Sequence, residues 1–291
     1  MRKKFITTVI VISTIIICIS LGYITLNLKN NNQNNTNNQN DQDNNVSGNN
    51  NENIEPVNNN DDIKQVVVNS KIGNELTAML DVNQIYSTNL YNELEKNGMS
   101  EKYKRMFTFS KINFETEYSD MLRIAENYAG YFITVKDLET VMKEYFLDTS
   151  NITHGNLFDD EQSYDAQNNR YIILPMGFAG SDLYYVTEIP YKIEEKTDKY
   201  YVYMYRLYIT RFTEDESESG VPKYVLYYDN ERKLQAYETT EELMEDKDKQ
   251  TSIINQAIDS SKISKDNLLK VVYEITKKGT KNLISNYNVI K

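Results

Sequence analysis

Cysteine, histidine and tryptophan are almost missing from this 291-residue chain, which has one Cys, one His and no Trp. The single cysteine, Cys18, lies in an apolar run near the N-terminus. The rest of the chain can therefore form no disulfide, no cysteine metal site and no thiol nucleophile. With only His154, in "NITHGNLF", a multi-histidine metal site is excluded and a His-based triad nearly so. His154 could act as a lone general base, but beside Gly155 it reads as an ordinary loop histidine. Proline and glycine are scarce, at 4 and 10. No Gly-x4-Gly-Lys-Ser/Thr phosphate cradle, Gly-x-Ser-x-Gly elbow or Ser-x-x-Lys pattern occurs, and no cofactor is expected. Basic residues are outnumbered, 32 against 43 acidic, for a formal charge of −11. This acidic balance argues against binding nucleic acid through a broad basic face and against lying on anionic lipid.

What is present begins at the N-terminus. Arg2, Lys3 and Lys4 precede "FITTVIVISTIIICISLGYITL", residues 5–26, which holds neither charge nor proline. That length matches a bilayer core of roughly 30 Å. The charge bias places residues 1–4 in the cytoplasm and everything after the span outside. Residues 5–28 are read as a transmembrane anchor, with a cleaved signal peptide as the competing reading, since Ser20 and Gly22 offer a weak cleavage site. Ile15 to Ile17 before Cys18 argue against lipidation. Residues 29–62 follow as an Asn-rich linker with six acids and, past Lys29, no Lys or Arg. It has almost nothing to bury and is expected to be a disordered tether. The remainder, 63–291, carries 28 basic against 37 acidic residues.

In 63–291 the apolar pattern is helical at first and mostly strand-like afterwards. Up to about 150 it is helical. Val82, Ile85, Tyr86, Leu90 and Leu94 form a stripe that Gly98 stops. Ser100 caps the next segment, with Tyr103, Met106 and Phe107. "FETEYSDMLRIAENY" (114–128) predicts a further helix broken by Gly130. Thr134 and Asp137 form a variant capping box for Leu138, Val141, Met142 and Tyr145. From 151 on, 171–174, 183–195, 199–212, 223–229 and 233–237 read as strands, with turns at 165–169, 196–199 and 229–231. Thr239 and Glu242 predict the start of an inserted helix bearing Ile254, Ala257 and Ile258. Two more strands, about 269–276 and 282–290, close the chain as a hairpin. The fold class is α+β: N-terminal helices, then an antiparallel sheet with one inserted helix and a C-terminal hairpin.

"KYYVYMYRLYITRF" (199–212) is the densest aromatic stretch. Tyr201, Tyr203 and Tyr205 share one face with Leu207 and Ile209; Tyr200, Val202, Met204, Arg206 and Tyr208 share the other. Neither face is polar, which predicts a central strand with helices on one side and a second face that is either semi-exposed or covered by the 239–260 helix. With 24 Tyr in the chain, strand preference explains the tyrosines first. A binding platform of Tyr201, Tyr203 and Tyr205 is the functional reading to set beside it. Asp159, Asp160 and Asp165, with Glu161, are the weak metal candidates. Their spacing lacks the 1-3-5-12 pattern of a calcium loop, so a solvated acidic loop is preferred and no metal is expected. "TEDESESG" (213–220) reads as another such loop, and "PMGFAGS" (175–181) as an irregular inter-strand loop.

The Lys-rich start with its span, the Asn-rich tether, "ITVKDLETVMKEYF", "THGNLFDDEQSYDAQNNRYIIL", the hairpin 183–212 and the terminal "VVYEITKKGTKNLISNYNVIK" carry a resemblance. Together they resemble a loose group of membrane-anchored extracytoplasmic proteins of low-GC Gram-positive bacteria. That resemblance implies a location at the cell membrane but no activity. The helix-then-sheet order is also similar to nuclear-transport-factor-2-like cones, in fold alone. The expected function is a non-catalytic binding module of the cell envelope, facing a wall polymer or an envelope protein. A carboxylate- or metal-dependent glycan hydrolase and a small-molecule-binding cone remain the alternatives.

Overall fold

A computed structural model describes residues 63–125, 130–158, 163–173, 183–212, 222–244 and 246–290. The anchor (5–28), the linker (29–62), the segments 175–181 and 213–220, and Asp159, Asp160 and Glu161 lie outside the described residues. No helix among those described is long and apolar enough to cross a membrane.

Helices supply the first layer. They are α1 (Lys71–Leu80), α2 (Gln84–Asn97), α3 (Glu101–Phe114) and α4 (Val135–Tyr145). Each starts where a side chain satisfies an orphan backbone donor. Ser70 accepts from Gly73 N, Asn83 from Ile85 N, Ser100 from Tyr103 N and Thr134 from Asp137 N. Gly98 ends α2 at a φ of 61°, a region that favours glycine. Leu138, Val141 and Met142 of α4 are fully buried. Each such side chain contributes about 1.5–3 kcal/mol.

The strands form two antiparallel sheets. The small one runs β2 (Arg123–Ile124), β3 (Tyr131–Thr134), β5 (Arg170–Ile173), β4 (Tyr164–Asp165). The large one has the hairpin of β6 (Leu183–Glu195) and β7 (Lys199–Phe212) as its spine. On the outer side of β6 sits β1 (Lys64–Val66). The other edge of β7 is shared. Residues 199–206 pair with β10 (Leu269–Lys278), which pairs in turn with β11 (Lys281–Ile290). Residues 208–212 pair with β8 (Lys223–Tyr227), and β8 with β9 (Gln235–Thr239). The sheet thus forks at Leu207, with α5 (Lys247–Asp259) inserted between the two branches in sequence.

A bulge sets the faces. The β6–β7 register shifts between Pro190 and Lys192, where Pro190 has no N–H to give a ladder. A one-residue slip moves every following side chain to the other face. Beyond the bulge Ile193 therefore stands opposite Val202 and is fully buried, while Lys192 and Glu194 stand beside Tyr203 and Tyr201.

The even face of β7, with Tyr200, Val202, Met204 and Tyr208, packs into one core with the four helices and the small sheet. Tyr205, Leu207 and Ile209 on the odd face pack with Ile253, Ile254, Ala257 and Ile258 of α5 in a second core.

Three sequence expectations change. The stretch 114–128 is not one helix: Phe114 is the last residue of α3, a 3₁₀ turn runs Thr116–Met121, and Arg123–Ile124 are strand. Pairing with β3 overrides the helical spacing there. The stretch 63–150, read as helical, also contains β1, β2 and β3. The inserted helix starts after Asp246, whose side chain caps Lys249 N, and not at Thr239, which ends β9.

Candidate functional site

Tyr201, Tyr203 and Tyr205 do share a face, but α5 divides them. Tyr205 is 9% exposed and its ring stacks on Tyr191 at 4.1 Å and 17°. Tyr191 is the residue that the bulge leaves over. Tyr201 and Tyr203 belong to neither core and are half-buried. Lys196 Nζ stands 4.9 Å over the Tyr201 ring, and Lys192 Nζ 4.8 Å over Tyr203. Tyr203 donates its hydroxyl to Glu194 at 2.7 Å; Gln65 of β1 donates to the same carboxylate at 3.1 Å, and Lys192 pairs with it at 2.6 Å. Burial pushes the Glu194 carboxyl up, but these donors outweigh it and hold it below its ordinary value. The uncovered part of this face is thus a patch of Tyr191, Tyr201 and Tyr203 capped by two lysines.

The opposite face hides a charged cluster. Arg206 is fully buried. Its Nε and Nη2 donate to Glu188 Oε1 at 2.9 and 2.6 Å, and its Nη1 to Glu95 Oε1 at 2.7 Å. Tyr273 and Tyr91 donate to Glu188 Oε2 at 2.9 and 3.3 Å, and Tyr208 donates to Glu95. The guanidinium lies 4.5 Å over the Tyr91 ring. Burial opposes the Arg206 charge, yet Glu188 and the tyrosines outweigh it and raise its pKa well above the ordinary value. One cation between two carboxylates makes a latch between α2 and the sheet. Both oxygens of Glu188 and Oε1 of Glu95 are spent on the chain itself.

His154 sits in a loop, as expected, yet is largely buried. Its Nδ1 lies 2.9 Å from the Tyr171 hydroxyl and its Nε2 3.0 Å from Glu139 Oε1. Burial pushes Tyr171 up to about 12. Glu, His and Tyr in series are the makings of a proton relay, but Tyr171 is 0% exposed, so no substrate reaches its oxygen. The arrangement ties α4 to the small sheet. Nothing in the local sequence of His154 announces it; its partners lie 15 and 17 residues away.

Asp165 is occupied by its own turn. Asn168 donates from N and Nδ2, at 3.2 and 2.7 Å, and Arg170 Nε donates at 2.9 Å. These bonds, Asn168 first, hold Asp165 below its usual range. Asp159 and Asp160 lie outside the described residues. Among those described, no three His, Cys, Asp or Glu side chains converge as a metal site requires. Against the cost of desolvation, Asp137, Asp148, Glu195 and Asp229 are likewise held low by hydrogen bonds and neighbouring cations.

Compared with known proteins, the chain matches no family model, no curated protein and no solved structure.

Proposed function

We propose that this protein is a membrane-tethered binding module of the cell envelope, with the domain from residue 63 on outside the cytoplasm. Its contact surface is the uncovered part of the β6–β7 face. The observation that carries this is the half-buried patch of Tyr191, Tyr201 and Tyr203 beside the portion that α5 covers. A half-exposed tyrosine presents ring and hydroxyl together, which suits a polyhydroxylated polymer or a protein surface. Lys192 and Lys196 keep the rings capped and wet until a partner displaces their ammonium groups.

Co-sedimentation of residues 63–291 with isolated Gram-positive cell-wall sacculi, at low and high salt, tests this reading. Pelleting should survive high salt, because stacking on tyrosine is not screened. Tyr201→Ala with Tyr203→Ala should weaken it by roughly tenfold or more, the scale of a two-tyrosine hot spot. Equal pelleting of the double variant, or pelleting that vanishes with salt alone, would refute the assignment of this face.

A further inference from the structure

A second surface has the chemistry of a binding site, away from the tyrosine patch. Between α1, the end of α3, the 3₁₀ turn and α4 lies a cavity of about 600 Å³. Its apolar walls are Ala78, Met79, Phe114 and the Tyr145 ring. Phe114 is 41% exposed there, although it ends a helix whose other aromatic residues are buried. The polar walls are Glu75, Glu115 and Glu117, with no Lys, Arg or His among the lining residues.

The chain itself demonstrates what such walls hold. Beneath the cavity the side chain of Lys111 is buried with its ammonium 2.7 Å from Glu115 Oε1 and 3.0 Å from Ala78 O. The same nitrogen stands 5.3 Å from the Tyr145 ring and 5.6 Å from Phe107. The other oxygen of Glu115 accepts from Tyr145 at 3.0 Å. Glu115 is therefore committed to the resident lysine. Among the described residues Glu75 has one loose pair, Lys71 at 4.0 Å, whose side chain is 93% exposed. Glu117 lies exposed on the 3₁₀ turn, with the Tyr118 hydroxyl as its hydrogen-bonding neighbour and no cation paired to it among the described residues.

We propose that this cavity binds a lysine side chain presented by a peptide. Its ammonium takes Glu75 and Glu117, and its methylene stem lies on Met79 and Phe114. The carboxylates decide the sign of the ligand, and the apolar walls decide that the cation carries a hydrocarbon stem. Shape decides the rest. The cavity is an open groove rather than an enclosed one, so a butylammonium group leaves room along it for the peptide backbone.

The test uses the full-length chain in a neutral detergent micelle, with ¹³C-labelled methionine methyl groups. The Met79 signal is assigned from Met79→Leu. Acetyl-Gly-Lys-Gly-amide should shift Met79 saturably, with a Kd on the order of 1 mM or below for one open site. Acetyl-Gly-norleucine-Gly-amide, which has the stem without the ammonium, should give no saturable shift. Butylammonium chloride should bind about tenfold more weakly than the lysine peptide, for want of backbone contacts. Glu75→Gln with Glu117→Gln should raise the peptide Kd about fivefold, within the roughly two- to thirtyfold that two exposed pairs give. Both residues are on the surface, so the other methionine signals should stay in place and report an intact fold. A norleucine peptide that binds as well as the lysine peptide, or a double variant with unchanged Kd, would overturn the proposal. Butylammonium binding as tightly as the peptide would overturn the peptide as occupant.

Discussion

Replacing Arg206 by Met tests the buried latch. Arg206 is fully buried, the side chain of Glu188 is 4% exposed and that of Glu95 26%. Met fills a similar stem volume and removes three charge-assisted hydrogen bonds. Glu188 Oε1 then loses both of its arginine donors, while Oε2 keeps Tyr91 and Tyr273. A buried carboxylate stripped of its cation costs about 3–5 kcal/mol. Glu95 is near solvent and adds little, since water replaces the lost donor. For a domain of this size 1 kcal/mol moves Tm by about 2–4 °C, so Arg206→Met should melt about 6–20 °C lower. The informative comparison is Arg206→Met combined with Glu188→Gln. The amide oxygen still accepts from the two tyrosines, and no buried charge is left unpaired. The double variant should recover about half of the loss or more. Urea titration followed by circular dichroism measures both. A single variant that loses less than about 1 kcal/mol, or a double variant less stable than the single, would refute the reasoning that the penalty is an orphaned charge.

Three further outcomes follow from the same structure. With no tryptophan to obscure it, tyrosine ionisation can be followed by absorbance near 295 nm. Tyr171, Tyr224 and Tyr287 are raised to about 12 by burial first of all. Folded pKa values above the unfolded value of 10 mean that stability present below pH 10 is lost as pH rises from 10 toward 12. These side chains should therefore titrate in one step with unfolding; a smooth titration near pH 10 in a still-folded protein would count against their burial. On the acid side Asp137 and Glu194 are held below their unfolded values of 3.8 and 4.5. Their contribution is present above those values and lost as pH falls through the lower folded ones. Tm should be flat above about pH 6 and fall below about pH 4.5, and Asp137→Asn should blunt that fall. Gly73→Ala should destabilise by about 1–3 kcal/mol, because a Cβ there would meet the backbone oxygens of Val68 and Val67 at 2.2 and 2.6 Å; a urea midpoint equal to that of the unaltered chain would contradict the close approach.

The sequence by itself determined the elements whose causes are local. The strand 199–212 was legible to the residue, because it is a run of tyrosine and aliphatic residues with high strand preference bounded by turn residues. The starts of α3 and α4 were legible at Ser100 and Thr134, because a cap acts over three residues. Local signals misled where pairing or packing decided. The spacing of 114–128 is helical, yet the chain gains more by ending α3 at Phe114 and pairing Arg123–Ile124 with β3. Thr239 with Glu242 looks like a capping box, but Thr239 is held in the ladder opposite Tyr224. The candidate sites lay beyond reach for the same reason. Alternation put Tyr201, Tyr203 and Tyr205 on one face, but only α5 decided that Tyr205 is covered and the other two are not. The register shift at Pro190 decided that Lys192 and Glu194 stand beside those tyrosines. Arg206 meets Glu95 across 111 residues, and Lys111 meets Ala78 across 33. Side-chain periodicity and capping are properties of a few neighbouring residues. Which charge finds which partner, and which face a helix covers, are properties of the packed chain.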